Sequence, residues 1–192
     1  MRLALLFSTA ALLTALAADG VRPAPAFTIA RIADPAINVQ QYKGKKIVAL
    51  AFIYTTCPHC QHLTTILDQL AKDYASRAVQ FLECAFNDDA VQTLPEFLKQ
   101  FNPPFPVGYC SRASVMSYLQ YSLVDTRPLY VPHMVFIDKA GMIRGDYPGE
   151  GPFFQDPEGN IRKELDKMLK TAPATHAGSG TGGASSNVGV AR

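Results

Sequence analysis

Ile47-Val-Ala-Leu-Ala-Phe-Ile-Tyr54 runs for eight residues without a charge and is followed, two threonines later, by Cys57-Pro-His-Cys60. A run of that kind is a strand buried on both faces, the signature of a sheet covered by helices. Directly beyond the cysteines, Leu63, Ile66, Leu67, Leu70, Ala71 and Tyr74 recur at three- and four-residue spacings, which is helical. The chain must therefore fold so that both cysteines stand where a central strand hands over to a helix N-terminus. Few architectures do this, and all are of the α/β kind.

The remaining pattern extends that frame. Phe27 to Ile32 and Ile37 to Val39 read as two short strands about the Asp34-Pro35 turn, an N-terminal β-hairpin, with Arg22 to Pro25 as an extended entry. Val79 to Ala85 is a second buried strand. Thr93-Leu-Pro-Glu96 predicts a capping box for a helix ending near Phe101. Phe105 to Cys110 reads as an edge strand, because its proline would interrupt an interior ladder. Ala113 to Leu123 has a helical period; Val131 to Asp138 and Met142 to Tyr147 form an antiparallel hairpin about Lys139-Ala-Gly141; and a last amphipathic helix runs from about Gly159 to Lys170. Alternating strands and helices predict a central mixed, mainly parallel sheet with right-handed crossovers.

The two ends are set apart by composition. Met1-Arg2, an apolar stretch from Leu3 to Leu16 and the small-x-small Ala15-Leu-Ala17 read as a secretory signal over residues 1–17. The stretch falls short of the ~20 residues that span a bilayer, so an uncleaved N-terminal anchor is the weaker alternative. Residues 173–192 are rich in Gly, Ser, Ala and Thr without an apolar period, and are read as a disordered tail. Residues 18–172 are left as one domain. Eighteen Lys+Arg against sixteen Asp+Glu, with no basic run longer than Lys45-Lys46, give no footprint for nucleic acid.

A Cys-x-x-Cys pair at a strand–helix junction suits thiol–disulfide exchange, in which a thiolate attacks a disulfide and a second thiol releases the product. Cys57 at the helix start and Cys60 one turn in are the candidates. Lowering a thiol from about 8.5 into the range of reactive cysteines takes roughly 2–7 kcal/mol, whereas a helix dipole supplies ~0.3–1. Direct N–H···S bonds and neighbouring groups are needed for the rest. His59 is the nearest candidate, and Pro58 fits the first helical turn without wasting a donor. A structural disulfide is the plainer reading of the pair, but closing a two-residue loop gains little.

The stretch from Pro25 to Lys170 resembles the thioredoxin superfamily and, within it, the secreted TlpA/ResA-like thiol–disulfide oxidoreductases. The resemblance is carried by Ala24-Pro-Ala-Phe27, Tyr42-Lys-Gly-Lys45, Cys57-Pro-His-Cys60, Phe105-Pro-Val107 and Val131-Pro132 ahead of Phe136-Ile-Asp138 and Gly141. It implies a thioredoxin-like fold, Cys57 as nucleophile, Cys60 as resolving thiol, and Pro132 as a cis-proline facing the pair, with the backbone of Val131 open to pairing with a substrate chain. It implies protein thiols and disulfides as substrates, a membrane-bound or soluble redox partner, a periplasmic or secreted location, and no cofactor.

Some positions depart from those relatives. Thr56 stands where a Trp precedes the motif, and Ala51 stands where thioredoxins carry a buried acid six residues before the first cysteine. The glutamate of the ResA-like branch has no counterpart near the motif. The Pro-His dipeptide is that of DsbA-like oxidants, so the direction of electron flow is left open. Cys84 and Cys110 end two strands and form, as a second pair, a structural disulfide, two free thiols or a relay to Cys57 and Cys60. Two other functions stay in view. Cys57, Cys60 and His133 would offer Cu(I) two sulfurs and an imidazole, as in the SCO copper carriers that Tyr54-Thr-Thr-Cys-Pro58 resembles, although those place three residues between their cysteines. The other is a redox-inert binding module.

Overall fold

The computed structural model describes residues 21–171, apart from residue 123. The proposed signal at 1–17 and tail at 173–192 lie outside the described residues. The elements follow in the order β1 (Arg22–Pro23), β2 (Thr28–Ile29), β3 (Ile37–Asn38), β4 (Ile47–Ile53), α1 (Pro58–Asp73), β5 (Val79–Ala85), α2 (Ala90–Phe101), β6 (Val107–Tyr109), α3 (Arg112–Tyr118), β7 (His133–Ile137), β8 (Met142–Tyr147) and α4 (Pro157–Thr171). Six strands form one mixed sheet in the order β1-β8-β7-β4-β5-β6, parallel across β4-β5-β6 and antiparallel elsewhere; β2 and β3 pair as a separate hairpin.

The uncharged run does what its composition requires. All seven residues of β4 are buried, alternating between faces: Ile47, Ala49, Ala51 and Ile53 pack toward α1, α2 and α4, whereas Val48, Leu50 and Phe52 pack toward the hairpin and α3. Helix α1 covers the first face with Leu63, Leu67 and Leu70. The hairpin contributes Phe27, Ile29 and Ile37 to the second. It is tied to the edge strand β6 through the Ala30–Tyr109 bridge, whose two backbone bonds measure 2.9 and 2.8 Å. This close approach needs Gly108, where a Cβ would stand 2.1 Å from the Ala30 carbonyl oxygen.

Several boundaries differ from the sequence reading. Helix α2 starts at Ala90, so Thr93 and Glu96 lie inside it and form no capping box. The Thr93 hydroxyl instead bonds the Asp89 carbonyl one turn back, at 3.0 Å. Helix α3 stops at Tyr118, well short of Leu123. Gln120 adopts a left-handed φ of 59°, and the amides of Gln120 and Tyr121 bond back to Ser117 and Met116. That is a Schellman stop built on glutamine where glycine is the usual signal. The extended entry is itself a strand, β1, at the sheet edge beside β8.

Candidate active site

Strand β4 ends at Ile53, and the chain turns through Tyr54 to Cys57, the Cys57 amide bonding the Tyr54 carbonyl at 3.2 Å. Cys57 is the N-cap of α1, with extended backbone (φ −83°, ψ 120°), and Pro58 takes the first helical position, where its missing N–H leaves no bond unmade. The two sulfurs have different surroundings. Cys57 is half-buried; Cys60, one turn into the helix, is fully buried among Ile53, Leu63 and their neighbours. The amide-to-sulfur bond expected for Cys57 is found at Cys60 instead, whose Sγ accepts the Tyr54 N–H at 3.4 Å. Burial drives the Cys60 thiol far above its ordinary range. The Tyr54 N–H pulls it down, while Cys57 and the charge of Glu83 push it further up. Cys60 is thus held as a thiol. Pro58 and His59 are exposed, and among the described residues the His59 ring makes no hydrogen bond.

Behind Cys60 lies an acid that the sequence reading did not single out. Glu83, on β5, is fully buried on the α1 side of the sheet. In the parallel register it stands opposite Ala51. Its Oε1 lies 2.9 Å from the Thr64 hydroxyl, which is also 3.1 Å from the Cys60 carbonyl oxygen; its Oε2 has no partner among the described residues. Thr64 has only one hydroxyl proton, so it cannot donate to both. When Glu83 is protonated it can donate to Thr64, leaving Thr64 to donate to Cys60; when Glu83 ionises, the Thr64 proton is drawn to the carboxylate. Burial raises Glu83 from an ordinary 4.5 to about 8, with Thr64 pulling the other way. The one signal available in the sequence was a lone charge in the otherwise unionised run Val79-Gln-Phe-Leu-Glu-Cys-Ala85.

The Val131–Pro132 peptide is cis. With Phe52 paired to His133, the antiparallel register brings Pro132 and Val131 alongside the end of β4 from which the motif departs. Val131 packs against the same core cluster as Cys57. The loop after β8 closes on this bend at Gly149, where a Cβ would meet the Pro132 oxygen at 2.7 Å and the Val131 carbonyl at 2.9 Å.

His133 does not join the cysteines. Along β7, Met134 and Phe136 enter the α1 layer while Val135 and Ile137 enter the α3 layer, and by alternation His133 goes with the second pair. Its Nε2 lies 2.5 Å from Asp146 Oδ1, and Asp146 in turn accepts from Arg22 at 3.1 Å. The set Cys57, Cys60 and His133 is therefore divided by the sheet, and the structure does not bring these three side chains together as one ligand set. Among the described residues no three His, Cys, Asp or Glu side chains are grouped to hold a metal ion. Cys84 and Cys110 are joined by a disulfide with their Cα atoms 6.5 Å apart, on the hairpin-and-α3 face. It staples β5 to the chain leaving β6, and the sheet stands between it and Cys57.

A model of the Redoxin family matches residues 20–166. Comparison with curated proteins gives no match. Among solved structures, the chain is similar to a protein described as a thioredoxin from Neisseria meningitidis, at 24% identity and TM-score 0.62 over 79% of this chain and 93% of that one. It is also similar to a thioredoxin-family thiol:disulfide interchange protein from Chlorobium tepidum, at 24% identity and TM-score 0.60 over 74% and 95%. A third is a secreted disulfide oxidoreductase from Mycobacterium tuberculosis, at 20% and 0.54 over 71% and 95%. At these identities the structures bear on the fold, which is thioredoxin-like, and the family match covers most of the chain. On that match, together with a Cys-x-x-Cys pair at the mouth of α1, the chain belongs to the Redoxin family and is a thioredoxin-fold thiol–disulfide oxidoreductase.

Proposed function

We propose that this protein exchanges disulfides with polypeptide substrates outside the cytoplasm, with Cys57 as the attacking sulfur, Cys60 as the resolving thiol and Glu83 as the proton acceptor for Cys60. The observation that carries the reading is the inequality of the two sulfurs: one reaches the surface at a helix N-cap, the other is sealed in with a buried carboxyl behind it whose single bond is to Thr64 among the described residues. In the reducing direction, the Cys57 thiolate attacks a substrate disulfide and displaces one substrate sulfur, which takes up a proton. The mixed disulfide is then attacked by Cys60, whose proton passes toward Glu83. The second substrate sulfur leaves, and two electrons have moved from the Cys57–Cys60 pair to the substrate. Oxidation of a substrate dithiol is the same sequence reversed.

Pro58 and His59 form the outer rim of the reacting sulfur, and Pro132 and Val131 offer a backbone edge beside it for an extended substrate segment. Export follows from the signal read at residues 1–17, and the secreted character of the Mycobacterium tuberculosis structural relative agrees with it. A soluble or membrane-bound partner must restore the pair after each cycle. The test is turnover of a disulfide-bonded protein such as insulin in the presence of a chemical reductant. Cys57→Ser is expected to abolish turnover, and Cys60→Ser to accumulate a mixed disulfide with substrate. Turnover that survives Cys57→Ser overturns the proposal. Sequencing of the exported protein's N-terminus, expected just after Ala17, checks the location.

A further inference from the structure

The turn that carries Cys57 is gripped from outside the motif. Thr55, the residue after Tyr54, is almost fully buried, and each of its polar groups is bonded. Its amide donates to Asn87 Oδ1 at 3.1 Å and its carbonyl accepts from Gln61 Nε2 at 2.8 Å. Its hydroxyl lies 2.6 Å from the Thr93 hydroxyl and 3.0 Å from Asn87 Nδ2.

Counting protons fixes the direction of these bonds. Thr93 spends its hydroxyl proton on the Asp89 carbonyl, so Thr55 is the donor in the contact between the two threonines. The Thr55 oxygen is then free to accept from Asn87. The Asn87 amide has one orientation only, because its oxygen must receive the Thr55 N–H. Its second N–H goes to Asp89 Oδ1 at 2.7 Å. The backbone carbonyl of Asn87 accepts the amide of Ala90, the first residue of α2, at 2.9 Å. The chain of bonds therefore runs from the start of α2 through Asn87 to Thr55 and ends at the turn whose closure places the Cys57 amide on Tyr54 and the Tyr54 amide on Cys60 Sγ.

We propose that Asn87 is a positioning residue for the exchange reaction: through Thr55 it fixes the turn that sets Cys57 against Cys60, and so makes the α2 N-terminus part of the reactive site. The proposal rests on Cys57 being the attacking sulfur. Asn87 touches neither sulfur and acts through the backbone of the turn. A displacement of even an ångström at a reacting atom is enough to lower rates strongly.

The test compares wild type with Asn87→Ala, Thr55→Val and Thr55→Ser. It measures kcat and KM for insulin reduction, the pH profile of Cys57 alkylation by iodoacetamide, and the thermal midpoint. Asn87→Ala and Thr55→Val are expected to lower kcat roughly tenfold, with KM changed by less than about twofold, and to displace the alkylation profile. Thr55→Ser, which keeps the hydroxyl, is expected to restore most of the rate. Variants with wild-type kcat and an unmoved alkylation profile overturn the proposal whatever their midpoint. Should both variants misfold, Asn87→Ser decides the matter: Asn87 is half-exposed, and serine keeps a polar side chain there while being too short to hold the Thr55 amide and hydroxyl, so a wild-type kcat and profile then overturn the proposal. A wild type without turnover would sink the functional reading, and the alkylation profiles would still judge Asn87 separately.

Discussion

A carboxyl buried without a second partner is costly when charged, and Glu83 lies where that cost touches the chemistry. With Glu83 raised to about 8, the fraction able to take the Cys60 proton grows through the neutral to mildly alkaline range. Turnover is therefore expected to rise with pH up to and through about 8, and Glu83→Gln to flatten this limb and lower kcat at pH 8 by roughly 10–100-fold. A variant with an unaltered pH–rate profile would remove Glu83 from the mechanism. The place of Cys57 and Cys60 at the strand–helix junction was legible from their spacing and their neighbours alone. Glu83 was not, because nothing local tells which residue of a second strand will stand opposite Ala51; that is set by the β4–β5 register. The placement of His133 failed for a related reason. A single step along a strand reverses the face, so adjacency to Pro132 in sequence sends the ring to the wrong side of the sheet.

At the level of elements, the uncharged strand, the helix after the cysteines and the closing hairpin were readable because each has a long, consistent period. The ends of α2 and α3 were not. Thr93 is drawn into bonding Asp89 and Thr55, and Gln120 takes a conformation in which glycine is the familiar marker. The short edge strand β6 depends on two ties that can be cut separately. Gly108→Ala would drive a methyl into the Ala30 carbonyl and part the hairpin from β6; a loss of about 2 kcal/mol in denaturant unfolding is expected. Cys110→Ser opens a loop whose cysteines are 26 residues apart, expected to cost about 3 kcal/mol while leaving Cys57 alkylation unchanged. A Cys110→Ser protein as stable as wild type would show that the other β5–β6 contacts hold the edge alone.

For the whole molecule, these groups make stability depend on pH in two opposed ways. Glu83 has a folded-state pKa above its unfolded value, so its protonated form stabilises the fold. That contribution is complete below about 4.5 and is lost as pH rises through about 8. At pH 7 the loss amounts to about 3 kcal/mol, or on the order of 10 °C in thermal midpoint. Asp146 acts in the other sense: burial pushes it up, but His133 and Arg22 outweigh that and hold it below the ordinary 3.8, so its contribution fades as the solution becomes strongly acidic. Thermal scans should accordingly find the fold most robust near pH 4–5, and Glu83→Gln should erase most of the decline between pH 5 and 8. A decline that persists in Glu83→Gln would assign it to other groups. The sheet also keeps its two kinds of sulfur apart, one pair at the open mouth of α1 and one beneath the hairpin. A direct handover of electrons from Cys57 and Cys60 to the Cys84–Cys110 bond would have to cross paired backbone, so exchange at the first pair has no internal route by which to open the second.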